Sequence, residues 1–145
     1  MAWYDRILGR TPKDDLDEQL EVVNRAVNMI VDDAAEIPFD VGEALKLDSV
    51  KKNIRRSKVD LLLNQQPNPF QDISTFKRNI ITDLLIDGNI FIYFDGAHMY
   101  HLPADRVTIE TNEKTYIDKF TYDHSIDYSP NEIIHIKDNS FYSIY

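Results

Sequence analysis

The first pattern along the chain is a helical repeat of apolar residues in the N-terminal third. These residues recur at intervals of three and four, at Leu20, Val23, Val27, Ile30 and Ala34. The spacing predicts one long amphipathic helix, and the acidic residues between positions 14 and 21 lie where they offset the positive end of its dipole. The helix is expected to end near Glu36, because Pro38 disfavours helical backbone at Ile37.

A second helix and a proline-containing elbow are predicted next. The helix is predicted from apolar residues at helical spacing, namely Val50, Ile54 and Leu61–Leu63. The segment from Asn64 to Pro69 breaks it. Pro67 and Pro69 each fix their own φ and push the preceding residue out of the helical region, so the elbow should be extended and rigid.

A third helix is predicted over Asp72–Asp87. Its apolar residues again recur at three and four, at Ile73, Phe76, Ile80, Ile81, Leu84 and Leu85. Either Asp72 or Ser74 can accept hydrogen bonds from the free N–H groups of the first turn. Gly88 suits the position just past the last turn, where a left-handed backbone is common.

Beyond Gly88 the apolar period changes from about 3.6 to 2, which predicts β-strands. Asn89–Phe94 is apolar on both faces, as expected for a central strand covered on both sides. Asp95-Gly96 predicts a two-residue turn of type I′. Four more strands are predicted at Ala97–Leu102, Arg106–Thr111, Tyr116–Tyr122 and Glu132–Lys137, with a turn at 112–114. Because helices precede strands, the fold class is α+β, with an antiparallel β-rich second part.

The composition is that of one ordinary globular domain. The chain has 145 residues, 43% hydrophobic and 28% charged, and no apolar run approaches the ~20 residues that span a bilayer, so no membrane partner is expected. The formal net charge of −9 argues against a surface that wraps nucleic acid. It remains compatible with a conduit through which DNA slides, and equally with a surface that serves only solubility.

The sequence contains no motif for the common types of catalytic or cofactor-binding site. There are no cysteines and only four glycines, so no phosphate-binding glycine loop can be written. His98 and His101 fall on one predicted strand at odd spacing and should point to opposite faces. His135, between two isoleucines, is interpreted as a structural strand residue. No catalytic, cofactor-binding or metal-binding residue is predicted, and the chain is not expected to be an enzyme.

Several motifs, in this order, resemble the portal protein family of long-tailed bacteriophages. The first is the elbow with Asn64, Pro67, Asn68 and Pro69, followed by a helix and Gly88-Asn89. The second is Leu102-Pro103 followed by Arg106-Val107, and the third is the strand 132–137 after Pro130. The N-terminus, Met-Ala-Trp-Tyr-Asp-Arg, also resembles the leader of such proteins. Residues 1–13 are interpreted as a flexible or docking arm, and 14–145 as one α+β domain of wing type.

The resemblance implies a subunit of a homo-oligomeric ring, typically a dodecamer, at one vertex of the capsid. Such a ring passes double-stranded DNA during packaging and ejection, and its partners are the major capsid protein, the terminase and the head–tail adaptor. Its location is the virion, after assembly in the host bacterial cytoplasm. The family's stem and clip segments find no counterpart in these residues. The alternative is a free-standing α+β protein-binding module whose elbow matches by chance.

A basic cluster precedes the elbow and leaves three interpretations open. It consists of Lys51, Lys52, Arg55, Arg56 and Lys58. It could contact DNA phosphates or an acidic partner, or it could be the solvated face of a helix, which is the commoner case. In the third interpretation it meets the acidic residues 14–21 across a contact between ring subunits.

Overall fold

A computed structural model of the chain describes residues 12–39, 58–114 and 116–138, with 12–18 as backbone only. Helices occupy Pro12–Ala35 (α1), residues 58–64 (α2) and Ile73–Ile86 (α3). The strands are Asn89–Phe94 (β1), Met99–Leu102 (β2), Val107–Glu110 (β3), Lys119–Tyr122 (β4), Ile126–Tyr128 (β5) and Ile133–Lys137 (β6), with a 3-10 turn at Ala104–Arg106. This order of elements confirms the α+β prediction.

The strands form two antiparallel three-stranded sheets, one ordered β2-β1-β6 and the other β3-β4-β5. In the first sheet, Ile92 of β1 lies between His101 of β2 and Ile134 of β6. Ile90, Phe91 and Ile92 are all buried. Because successive side chains point to opposite faces, both faces of β1 are covered, as the sequence predicted for a central strand.

α3 covers one face of the β2-β1-β6 sheet. Phe76 and Ile80 of α3 pack with Ile90 and Ile92 of β1, and Leu62 of α2 and Met99 of β2 complete this aliphatic cluster. Phe76 is fully buried. The three-four spacing of the α3 sequence therefore reflects one continuous contact with the sheet.

The opposite face of β1 packs against the second sheet through aromatic residues. Phe91 meets Phe120 edge to face with 5.7 Å between ring centroids, and His135 stacks on Phe91 at 4.6 Å. Leu102 and Ile133 are buried in the same cluster. Edge-to-face and offset aromatic pairs stabilise a core beyond simple area burial, and here they join the two sheets.

The ends of α3 are formed by the residues that local chemistry predicts. The Asp72 carboxylate accepts hydrogen bonds from both the N–H and the hydroxyl of Thr75, and these bonds lower the pKa of Asp72. At the other end Gly88 has φ +71°, and its N–H donates to the Leu84 carbonyl. Both the N-cap and the terminal glycine were predicted from sequence, with Asp72 rather than Ser74 as the cap.

The hairpin between β1 and β2 differs from the predicted type I′ turn. The pairing of Phe94 with Met99 places Gly96 and Ala97 at the centre of the turn, and only Gly96 has positive φ, at +94°. That pattern is typical of a type II′ turn. The prediction was wrong by one residue because the Asp95 side chain accepts bonds from the N–H groups of Ala97 and His98 and so precedes the turn. His98 consequently lies in the turn, not on the predicted strand.

The second sheet also departs from the predicted strands. The strand predicted from Tyr116 begins only at Lys119, because Tyr116 has φ +63° and cannot continue an extended strand. The turn at 112–114 is present, with the Asn112 side chain accepting from the Lys114 N–H. β5 was not predicted. It is three residues long and pairs with β4 after a turn in which Asp123 and His124 both have positive φ.

α1 ends where predicted, but the face it buries is not the predicted one. From residue 19 onward, the buried side chains of α1 are Val31 and Ala35, whereas Leu20, Val23 and Ile30 of the predicted apolar face are each more than half exposed. The C-terminal end of α1 packs on α3, and there Asp32 of α1 pairs with Arg78 of α3. The helix begins at Pro12, so the last two residues of the predicted arm are helical.

Candidate functional site

The elbow, residues 64–69, is bonded to the β1–β2 hairpin through its backbone and one asparagine. The Met99 N–H donates to the Pro67 carbonyl at 2.8 Å, and Asn68 Nδ2 donates to the Met99 carbonyl at 2.8 Å. Asn68 Oδ1 in turn accepts from the Phe70 N–H at 3.0 Å. Pro67 and Asn68 are both fully buried. The elbow therefore extends the edge of the sheet instead of only connecting two helices.

Asn64 fastens the chain that leaves α1 to the end of α2. Its Oδ1 accepts from the Phe39 N–H at 2.7 Å, and its Nδ2 donates to the Phe39 carbonyl at 2.9 Å and to Asp60 at 2.9 Å. A primary amide can satisfy a backbone N–H and C=O at once. This explains why an asparagine ends the helix at this position of the motif.

A buried lysine holds the same segment from the other side. Lys77 of α3 is only 5% exposed, and its Nζ donates to the Ile37 carbonyl at 2.8 Å while lying 5.0 Å from the centre of the Phe39 ring. A buried ammonium group needs such partners to offset its lost hydration. Sequence reasoning missed Lys77, since a single lysine on an amphipathic helix is normally solvated.

A second polar contact joins α3 to the strand region. Asp83 Oδ2 accepts from His101 Nε2–H at 2.7 Å and from the Ala104 N–H at 2.9 Å. The carboxylate thus fixes the end of β2 and the 3-10 turn that Pro103 precedes. Nearby, burial together with the charges of Asp83 and Asp105 raises the pKa of Asp87.

The remaining motif residues have separate structural roles. Asn89 Oδ1 accepts from His135 Nε2–H at 2.9 Å, which links the start of β1 to β6. Arg106 lies 3.6 Å from Asp123, and its bond to the Tyr122 hydroxyl raises the pKa of the guanidinium group. His135 is half-buried, with its ring against Phe91 and Phe120, which agrees with its interpretation as a structural strand residue.

The predicted structural motif thus divides between two parts of the fold. Asn64, Pro67 and Asn68 lie together at the elbow, whereas Gly88 and Asn89 start β1 and Pro103 and Arg106 flank the 3-10 turn. Pro69 belongs to the elbow but is exposed. Of the basic cluster only Lys58 is described, and it is exposed; Lys51, Lys52, Arg55 and Arg56 lie outside the described residues, as do residues 1–11.

Within the described ranges, no group of three or more acidic or histidine side chains could hold a metal ion. The helices of the same ranges include none with the length and apolarity that a membrane crossing requires. No buried side-chain nitrogen or oxygen described in the structure lacks a hydrogen-bond partner. The polar residues of the elbow are therefore satisfied by the protein itself, and the arrangement is suited to holding a shape.

Comparison with known proteins identifies the family to which this elbow belongs. The profile of the family described as phage portal protein matches residues 21–145, and the chain belongs to that family. The portal protein of Escherichia phage T5 is 42% identical over 123 residues, which are 85% of this chain and 30% of that relative. A chance match of the elbow to an unrelated module is thereby excluded.

Two solved structures share the fold. One, described as the neck of an empty gene transfer agent particle, aligns with a TM-score of 0.63 and 20% identity over 78% of this chain and 32% of its own. The other, a virion of a native gene transfer agent particle, gives 0.59 and 19% over 78% and 30%. The chain therefore spans about a third of the length of the proteins it resembles.

Proposed function

We propose that this chain is the N-terminal, wing-type part of a portal subunit that closes with identical copies into a ring, predicted to be a dodecamer. The observation that carries the proposal is the family match over residues 21–145, together with 42% identity to a portal protein. In this proposal the ring occupies one vertex of the capsid, and double-stranded DNA enters and leaves through it.

The contribution of these residues is mechanical. Asn64 and Lys77 tie the exit of α1 to α2 and α3, and Asn68 ties the elbow to β2. Asp83 joins α3 to the region after β2. The Asn68 bond is buried and the bonds of Lys77 and Asp83 are half-buried, where hydrogen bonds are costly to break without replacement. Together they make a body that keeps its shape while DNA passes through the ring.

Partners follow from the proposed position in the virion. We expect the ring to contact the major capsid protein, the terminase and the head–tail adaptor, and to assemble in the host bacterial cytoplasm. No residue of this chain is assigned a catalytic or cofactor-binding role. The energy for packaging would come from the terminase, a separate protein, and the portal would supply geometry.

The acidic surface fits a passage that does not grip DNA. Of the charged residues in the chain, 25 are acidic and 16 are basic. Tight binding of a duplex requires lysines and arginines that displace counterions from the phosphates. A net negative ring instead leaves DNA free to move along its axis.

Complementation tests the proposal. A phage that lacks its portal gene is supplied with the full portal chain, and packaged DNA is measured in the particles. Wild-type chain should restore packaging, whereas a version with Asn68→Leu should restore less, because the elbow loses its bond to Met99. Exposed Asn28→Leu on α1 is the matched control and should package normally. Failure of the wild-type chain to restore packaging would contradict the proposal.

A further inference from the structure

The β2 edge of the first sheet is occupied by the elbow. β2 lies at one end of the order β2-β1-β6, so one side of its backbone faces away from β1. On that side the Met99 N–H donates to the Pro67 carbonyl at 2.8 Å, and the Met99 carbonyl accepts from Asn68 Nδ2 at 2.8 Å. The elbow therefore bonds both outward backbone groups of Met99, one through its own backbone and one through a side-chain amide.

The Asn68 amide is held in the orientation that this contact needs. Its Oδ1 accepts from the Phe70 N–H at 3.0 Å. Because a primary amide has one acceptor end and one donor end, that bond turns Nδ2 towards the Met99 carbonyl. Asn68 is only 2% exposed, so little water competes for either bond. The side chain takes the place of the N–H that a neighbouring strand would offer to Met99.

The elbow itself offers few groups to which a further strand could bond. Pro67 and Pro69 have no N–H. The Gln66 N–H donates to the Leu61 carbonyl at 2.8 Å, at the end of α2, and is already used there. A strand adds to a sheet through donors and acceptors that recur along the edge. The segment that covers β2 therefore does not become a new pairing edge.

Pro103 limits the β2 edge at its other end. Because the backbone groups of alternate residues in a strand point the same way, His101 and Pro103 lie on the same outward side as Met99. Pro103 has no N–H to donate. Of these three residues only His101 keeps an N–H and a carbonyl outside the contacts of the elbow. One residue is much shorter than the roughly 3–10 residues of an ordinary strand.

We propose that the elbow and Pro103 protect the β2 edge from strand addition by a second copy of the chain. An exposed edge strand is a template on which strands of other molecules can pair, and proteins protect such edges with prolines and covering segments. Here Pro67, Asn68 and Pro103, which belong to the sequence motifs, all act on one strand. Copies of the subunit are thereby limited to association through other surfaces. This role is separate from the proposed ring and does not depend on it.

Opening the edge tests the proposal. The full portal chain is prepared with Asn68→Leu and Pro103→Thr together, which removes the side-chain bond to the Met99 carbonyl and restores an N–H at position 103. Threonine can adopt the φ of −51° and ψ of 127° found there. Thioflavin T binding and light scattering are measured under conditions in which circular dichroism shows the chain to be folded. This variant should form several-fold more β-sheet aggregate than the wild type.

A destabilised control separates edge opening from simple loss of stability. Phe120 is 2% exposed on β4, the central strand of the second sheet, and Phe120→Ala is expected to lower stability at least as much as Asn68→Leu. It leaves Met99 bonded to the elbow, so it should aggregate no more than the wild type while folded. Equal aggregation of Phe120→Ala and the edge variant would overturn the proposal, because lost stability alone would then explain both.

A second pair of substitutions covers the case in which Asn68→Leu prevents folding. Pro69→Ala with Pro103→Thr restores two N–H groups and leaves the bonds of Asn68 intact. Pro69 is exposed, so this variant should fold. It should aggregate more than the wild type, and less than a folded chain with Asn68→Leu and Pro103→Thr. If the folded Pro69→Ala, Pro103→Thr chain aggregates no more than the wild type, the proposal is overturned.

Discussion

The elbow and the N-terminal half of α1 differ in how far their characteristic residues are buried. At the elbow, Pro67 and Asn68 are fully buried and Asn68 is bonded to the backbone on both sides. Along α1, the most regular apolar repeat of the chain is mostly in solvent. The first region is completed by bonds within the subunit, whereas apolar side chains of the second are about half exposed.

The difference shows that a regular apolar pattern identifies a helix but not the surface that covers it. Asn68 is polar and buried because the Met99 carbonyl and the Phe70 N–H satisfy it. Leu20 and Val23 are apolar yet 52% and 57% exposed, although complete burial would add roughly 1 kcal/mol for each.

The largest expected effect comes from Asn68→Leu. The change keeps the branched shape of the side chain but leaves the buried Met99 carbonyl and the half-buried Phe70 N–H without their partner, so we expect a loss of about 2–4 kcal/mol in the free energy of unfolding. Urea unfolding followed by circular dichroism measures it. The same substitution at exposed Asn28 of α1 should change the free energy by less than about 0.5 kcal/mol. Equal losses of unfolding free energy for Asn68→Leu and Asn28→Leu would contradict the claim that the elbow is buried and bonded while α1 is exposed.

The two elbow prolines should differ, although the sequence alone predicts similar roles for them. Pro67→Gly loses both chain stiffness and apolar burial, with an expected cost of about 2–3 kcal/mol. Pro69 is exposed, so Pro69→Gly should cost only ~0.4–1 kcal/mol through the entropy of the unfolded chain. Chemical unfolding of both variants sharpens the comparison, and a larger cost at Pro69 would contradict the buried elbow.

Asn64→Ala should release the segment that leaves α1. The substitution removes two bonds to the Phe39 backbone, with an expected cost of about 1–2 kcal/mol in the free energy of unfolding. Faster hydrogen exchange of the Phe39 amide provides a local readout. Gln65→Ala, one residue on and exposed, is the control and should leave both quantities nearly unchanged.

The smallest expected effect is a dependence on pH in the aromatic cluster. Burial, together with the charge of Lys137, lowers the pKa of His135 below its ordinary value of 6.5. Between 6.5 and the lowered value the unfolded chain therefore binds more protons, and stability decreases as pH falls through this window. Unfolding at about pH 7.5 and about pH 5.5 measures the loss. His135→Phe keeps the stacking and should reduce the difference in stability between the two pH values. If that difference is unchanged, a titratable group other than His135 causes it.

Local chemistry made much of the fold predictable from sequence. The Asp72 cap, the Gly88 terminus and the covered strand β1 depend on residues close in the chain, and all three agree with the structure. The turn at Asp95-Gly96 failed because the side chain of Asp95 bonds ahead of the turn. β5 was missed because three residues carry almost no periodicity, and its pairing with β4 arises from the turn geometry around Asp123.

The candidate site was less predictable, for a tertiary reason. The elbow was recognised, but its partner Met99 lies 31 residues from Asn68 along the chain, and no local signal connects them. Lys77 and Asp83 look like ordinary polar positions of a helix until their partners Ile37 and His101 are placed beside them. The burial of Val31 rather than Ile30 likewise depends on where α3 packs.

Hydrogen–deuterium exchange of the full portal chain tests the account most directly. Exchange is compared between the wild-type chain and the Asn68→Leu variant. The account predicts faster exchange of the Phe70 and Met99 amides in the variant, because the Asn68 side chain joins these two residues, with little change in the N-terminal half of α1. Unchanged exchange at Phe70 and Met99 would contradict it.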